Sequence, residues 1–306
     1  MLNILITGGS GLLALNLASY FRQSNQVTLG LHHTRVALSR VKTLPLPASQ
    51  DALCTVMREH GFNLVIHAAG MTNVDACEKN PEEAQKVNAH LSRDVAAACR
   101  NVGVKLVHIS TDHLFNGLEP KRDELTPATP LNEYARSKLL AEQLVMVACP
   151  GALVMRTNFF GWGHPKRRSF SDWIIDSMRQ QKPINLFQDV YFSPILISVL
   201  AEQLTRLLQI NASGIFNVVS DERLSKSDFG LKLCNVFGFN PALIREVSVE
   251  SVALSAIRPK DMSLDNTKLK RTTSSTILSL DAQLMMLKDQ LDSGWADEIR
   301  NSLMES

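Results

Sequence analysis

The chain has 306 residues, 45% of them hydrophobic, which is enough for a substantial core in one large unit or two smaller ones. Lys and Arg number 32 against 30 Asp and Glu; a net charge of +2 with no basic stripe argues against nucleic acid as a partner. Five scattered cysteines (Cys54, Cys77, Cys99, Cys149, Cys234), odd in number and without a CxxC pair, argue against a disulfide framework and a zinc site and fit a reducing cytoplasm.

The first predicted strand, residues 2–7, starts without a basic leader, and no apolar run in the chain approaches the ~18 residues of a membrane span, so no membrane partner is expected. That strand runs into TGGSGLLA at positions 7–14, behind which a helix opens. Two registers fit, Gly9-x-Gly11-x-x-Ala14 and Gly8-x-x-Gly11-x-x-Ala14. In either one the missing side chains let backbone approach a pyrophosphate, helix N-terminal N–H groups point at it, and Ala14 allows close packing on the strand. Gly8, Gly11, Leu12 and Leu13 are therefore expected at a dinucleotide site. The second strand, 27–31, leads into His32, His33, Thr34 and Arg35, where an NAD enzyme would usually carry an acid for the ribose. Positions 1–50 hold no Asp or Glu, and Arg35, with His33 beside it, can meet a 2′-phosphate. NADP(H) is favoured, with NAD(H) as the alternative.

A third strand at 64–67 and a long helix at 81–101 follow, with Asn80 as the expected cap, Pro81 at the first helical position and Glu82 and Glu83 at the positive dipole end. The fourth strand, 104–110, ends in Ser110-Thr111-Asp112, where a hydroxyl can donate to a substrate carbonyl. The irregular stretch 111–131, with three prolines, lies where a parallel sheet carries its ligand site. The helix expected at 132–148 then places Tyr134 and Lys138 at i, i+4 on one face. An ammonium beside a phenol is expected to lower its pKa and make it a usable proton donor, and the same lysine can bind ribose hydroxyls.

A fifth strand at 152–156 completes the alternating pattern, and beyond about residue 160 the elements shorten. They are a helix at 169–180, an extended 184–187, a helix at 194–208, a strand at 215–219 and a helical stretch at 277–304. The fold class read from this rhythm is α/β, a Rossmann-type doubly wound parallel sheet with a smaller C-terminal substrate-binding region. The boundary is placed so that 1–158 binds NAD(P) and 159–306 is mainly substrate-binding, with some elements packing back on the sheet. His67 reads as a satisfied core histidine, Asn88 as a helix-packing residue, and His32, His33, His108 and His164 show no ligand spacing, so no metal site is expected.

TGGSGLLA at 7, HAAGMTNVDACE at 67, KVNAHLSRDVA at 86, STDHLFNG at 110, PLNEYARSK at 130, RTNFFGWG at 156, DVYFSPI at 189 and RPKDMSLDNTKL at 258 together carry a resemblance running nearly end to end. The chain resembles an extended short-chain dehydrogenase/reductase and, within that class, the dTDP-4-dehydrorhamnose reductase family. The resemblance implies a catalytic set of Thr111, Tyr134 and Lys138, with Tyr134 as proton donor, Thr111 holding the keto oxygen and Lys138 on the nicotinamide ribose. It implies that Ala68, Ala69 and Gly70 line the cofactor, and it suggests for Asn88 the alternative role of orienting the site. The partner it implies is a nucleotide-diphosphate sugar, and a homodimer is compatible with it. His113, Asn158 and Phe159 stand where the family usually differs and are expected to face the sugar. Arg168, in the basic triplet Lys166-Arg167-Arg168, and Arg258 are the remaining substrate candidates. The related alternatives are a nucleotide-sugar enzyme acting on another, for instance branched, sugar, and the NADP-binding regulatory subunit of methionine adenosyltransferase, which resembles the same family.

Overall fold

A computed structural model describes residues 1–47 and 49–304. Among them, seven strands form one fully parallel sheet: β1 (Asn3–Thr7), β2 (Gln26–Leu31), β3 (Lys42–Pro45), β4 (Leu64–His67), β5 (Lys105–Ile109), β6 (Leu153–Arg156) and β7 (Gly214–Asn217), in the order β7-β6-β5-β4-β1-β2-β3. The chain direction across the sheet reverses between β1 and β4, and ligands of such sheets bind outside the strand ends at that point. The α/β, Rossmann-type reading holds.

The central strands are apolar on both faces because helices cover both. Ile4 and Ile6 of β1 point into one core, which extends through the C-terminal helices, while Leu5 points into the other with Leu53, Met57, Val95 and Val154. The first core is covered by α1 (Leu12–Phe21) and later helices, the second by α2 (Gln50–His60) and its neighbours. Strand β3 and helix α2 add to the elements expected from the sequence; Lys42 and Thr43 of β3 are largely exposed at the sheet edge, so this strand lacks an apolar run.

The long helix expected at 81–101 is three pieces. After α3 (Val74–Lys79) come α4 (Pro81–Gln85), a π-helical turn over Lys86–His90, and α5 (Leu91–Val102). Asn80 does not cap α4 with its side chain, which turns back to the Ala76 carbonyl at 3.1 Å, although Pro81 does open the helix. The wider turn lets Asn88 leave the regular helix face and reach the loop after β4.

Helix α6 (Glu133–Ala148) starts on an Asn132 side-chain cap. Helix α7 (Phe170–Arg179) opens with a capping box between Ser169 and Asp172. Next come α8 (Ile197–Gln209), α9 (Lys226–Phe237) and α10 (Thr267–Thr273). The stretch 277–304 breaks at Gly294, whose φ of +78° suits glycine, into α11 (Leu280–Asp292) and α12 (Trp295–Arg300). Strand β7 comes from the second half of the chain yet pairs in parallel with β6. No helix among the described residues is long and apolar enough to cross a membrane.

Candidate active site

At the reversal point, the turns after β1 and β4 touch. Gly8 has φ +67°, and a Cβ there would lie 2.8 Å from the Ala69 Cα and N, so only glycine fits the approach. Gly9 faces away: its N–H donates to the Gly30 carbonyl at 2.9 Å, and a Cβ would meet that of Leu29 at 2.7 Å. The second glycine register therefore describes the turn. Gly11 caps α1 with no side-chain hydrogen bond, and the first turn holds no acid, leaving helix amides and a positive dipole end for a phosphate. The site fits a dinucleotide pyrophosphate.

A cavity of about 620 Å³ opens from this turn. Of the residues singled out in sequence, Gly8, Gly11, Leu12, Leu13, Ala68, Ala69, Gly70, Thr111, Tyr134, His113, Asn158, Phe159 and Arg168 line it. Four do not. Lys138 is buried behind the wall, its Nζ donating to the Ile109 carbonyl at 2.6 Å. Arg258 is turned away, paired with Asp75 at 2.8 Å and donating to the Ala256 carbonyl at 2.9 Å. His33 and Arg35 are exposed beyond the end of β2, where His33 lies on His32 with ring centroids 3.7 Å apart. Their segment is tied down by the C-terminus: Ala37 N–H donates to the Ser302 carbonyl at 2.8 Å, and Met304 N–H to that of Arg35 at 3.2 Å.

Thr111 and Asp112 stand at the C-terminal end of β5, both buried. Asp112 accepts from the Asn158 amide at 2.6 Å and from the Thr111 hydroxyl at 3.3 Å, which occupies Asn158. Tyr134 packs its ring against that of His113 in an edge arrangement, centroids 5.5 Å apart. Burial raises the Tyr134 phenol above its usual range, while the facing Thr111 hydroxyl acts the other way. This corrects the expectation that the phenol is lowered: Lys138 points at the main chain of β5, and desolvation of the ring outweighs the hydroxyl. Lys138 itself is lowered to about 8 by burial, against the opposing charge of Glu142. Glu142 is held in turn by a buried fork from Arg156 at 2.8 and 3.0 Å.

Three residues were missed or underrated in sequence. His164, fully buried, donates from Nε2 to the Ser10 carbonyl at 2.9 Å and accepts the Lys166 N–H on Nδ1 at 3.2 Å, so it anchors the loop carrying Lys166, Arg167 and Arg168 to the glycine turn. Lys226, first residue of α9, places its ammonium 3.3 Å from the Phe192 ring centroid and 4.9 Å from that of the cavity-lining Phe170. Burial lowers it to about 8, with Asp112 acting against the shift. Asn88 receives the Met71 N–H at 2.7 Å and donates to Ser137 at 2.9 Å, joining the loop after β4 to α6. Only Asn88 has a signal, in the KVNAH segment; His164 reaches Ser10, and Lys226 reaches Phe170 and Phe192, across more than 30 residues of sequence.

A doubly wound sheet with a glycine turn at its reversal and a Tyr-x-x-x-Lys helix beside it defines an extended short-chain dehydrogenase/reductase-like protein. A family model described as the RmlD substrate binding domain matches residues 2–292, and the chain belongs to that family. It is 30% identical over 270 residues to the probable low-salt glycan biosynthesis reductase Agl14 of Haloferax volcanii, covering 85% of this chain and 88% of the relative. It is 26% identical over 276 residues to methionine adenosyltransferase 2 subunit beta of Mus musculus, covering 87% and 81%. The crystal structure of dTDP-4-dehydrorhamnose reductase from Bacillus anthracis in complex with NADP superposes with a TM-score of 0.81 at 25% identity, covering 94% of this chain and 99% of that one.

Proposed function

We propose that the protein is a nicotinamide-dependent reductase of a nucleotide-activated 4-keto-deoxysugar, with NADPH as the preferred cofactor. The observation that carries this is the single cavity in which the Gly8–Gly11 turn, the Ala68–Gly70 loop, Thr111 and Tyr134 meet. The relatives' reductase names and the NADP of the Bacillus anthracis structure support it. The cofactor, when bound, supplies a hydride to the keto carbon. Tyr134 donates its phenolic proton to the developing alkoxide, and the Thr111 hydroxyl, turning from Asp112, donates a hydrogen bond to the same oxygen. Burial of both residues excludes water from that oxygen and strengthens each hydrogen bond. Lys138, buried behind the cavity wall, would supply positive charge toward the nicotinamide ribose, and the raised phenol of Tyr134 keeps its proton until the alkoxide forms.

Arg35 provides the preference for a 2′-phosphate, and the basic triplet at 166–168 faces the sugar nucleotide's diphosphate. In this reading residues 1–158 hold the cofactor and most of 159–306 shapes the substrate end. The test is a panel of dTDP-, GDP-, UDP- and CDP-linked 4-keto sugars with NADPH oxidation followed optically. Turnover of at least one member is expected, and absence of turnover across the panel with intact NADPH binding sinks the reading. The second reading, a cofactor-binding regulatory subunit, is favoured by the likeness to the Mus musculus protein over 87% of this chain. It predicts that last outcome.

A further inference from the structure

Between β1, β4, the π-helical turn, α5 and α6 lies a line of buried hydrogen bonds whose proton positions can be deduced. Ser92 Oγ lies 2.6 Å from the Asn88 carbonyl, which can only accept, so the one Ser92 hydroxyl proton is committed there. Towards His67 Nε2, at 3.0 Å, Ser92 can then only accept, and Nε2 must carry the ring hydrogen. A neutral imidazole with Nε2–H presents Nδ1 as an acceptor, and Thr7 Oγ1 donates to it at 2.8 Å. Thr7 Oγ1 in turn accepts the N–H of Ala69 at 3.3 Å.

The chain continues beyond Asn88. Its amide oxygen accepts the Met71 N–H at 2.7 Å, and its amide nitrogen donates to the Met71 carbonyl at 3.0 Å and to Ser137 Oγ at 2.9 Å. Ser137 Oγ donates to the carbonyl of Tyr134 at 2.8 Å. Each hydroxyl proton along the line, and the ring proton of His67, is thus assigned to one acceptor.

We propose that His67, locked as the neutral Nε2–H tautomer, is a positioning residue that holds, through Ser92, the Asn88 turn whose side chain ties the loop after β4 to the helix carrying Tyr134. Rigid placement of both walls matters because a displacement of ~1 Å at a reacting group costs ~10² in rate. Two charged or titratable groups face the ring. His108 stacks on it with centroids 5.5 Å apart, and Lys138 lies near enough for its charge to disfavour a second cation. Together with burial, Lys138 holds His67 at a pKa of about 3, so the lock persists at neutral pH.

The kinetic part of this inference rests on the reductase reading; two other measurements do not. Nitrogen-15 NMR of the histidine rings should show His67 as the Nε2–H tautomer, unchanged from about pH 5 to about pH 9. His67→Phe keeps a ring but strands the Thr7 and Ser92 hydroxyls. It is expected to weaken NADPH binding, measured by titration, by about 10-fold, and to lower kcat by about 10- to 100-fold with the sugar KM within about twofold. His67→Gln, which retains a donor and an acceptor, should recover most of both. An Nδ1–H or titrating His67, or a His67→Phe protein with lower Tm but unchanged cofactor affinity and kcat, overturns the proposal. If His67→Phe does not fold, the tautomer and the His67→Gln cofactor titration decide it. If no keto sugar is turned over, the tautomer and cofactor arms decide it without the rate.

Discussion

The Lys138 ammonium donates to the Ile109 carbonyl at 2.6 Å, so the lysine of the YARSK helix is tied to the end of β5 that carries Thr111. Burial lowers it to about 8 from an ordinary value of 10.5, so its charge is lost just above neutral pH. Turnover that needs this charge should fall as pH rises through about 8, and Lys138→Met should abolish that limb while weakening cofactor binding. Stability should move oppositely. The unfolded chain keeps the proton longer, so the folded state gains stability between about pH 8 and about pH 10.5, and Lys138→Met should flatten that rise in urea titrations. A wild-type pH–rate profile that stays level through this range would remove Lys138 from the chemistry.

Tyr134→Phe tests the proton donor. With Thr111 and the cavity intact, turnover should drop by about 10²- to 10⁴-fold, the range for one general acid, while NADPH still binds. Near wild-type turnover in the variant would pass the role to another group.

Arg35 is exposed and pinned through its main chain by Met304, so its guanidinium is available while its backbone is held. NADPH should bind more tightly than NADH, and Arg35→Ala should narrow the gap by about 1 to 3 kcal/mol, the worth of a charge-assisted hydrogen bond. Equal or tighter NADH binding in the wild type, measured by titration, would refute this.

Three histidines with lowered values set an acid limit. Burial is the first cause in each: His67 is lowered to about 3, His108 lies well below 6.5, and His113 is lowered despite the nearby Asp112 carboxylate. Their folded values are depressed, so the unfolded state takes up protons first and stability falls as pH drops below about 6.5 and continues to fall towards about 3. His108, whose two ring nitrogens have no partner among the described residues, is the cleanest probe. His108→Phe should make the loss of stability between pH 7 and pH 5 shallower; parallel denaturation midpoints for the two proteins would show that these histidines are not the cause.

Local pattern determined much of this protein. The strand at 64–67, the turn at Gly8 and Gly11, and the i, i+4 spacing of Tyr134 and Lys138 all depend on neighbours within a few residues, and strand and helix periodicity expose such information directly. The lowered phenol and the unbroken helix at 81–101 did not survive. The first depends on how deeply Tyr134 is desolvated and where Lys138 points, the second on a partner, Met71, that Asn88 reaches only after the sheet has formed. The same holds for His164 at the glycine turn, Arg258 on Asp75, and Lys226 between Phe170 and Phe192. Desolvation and long-range hydrogen bonding arise from packing segments that lie far apart in the chain, so only the tertiary structure decides them.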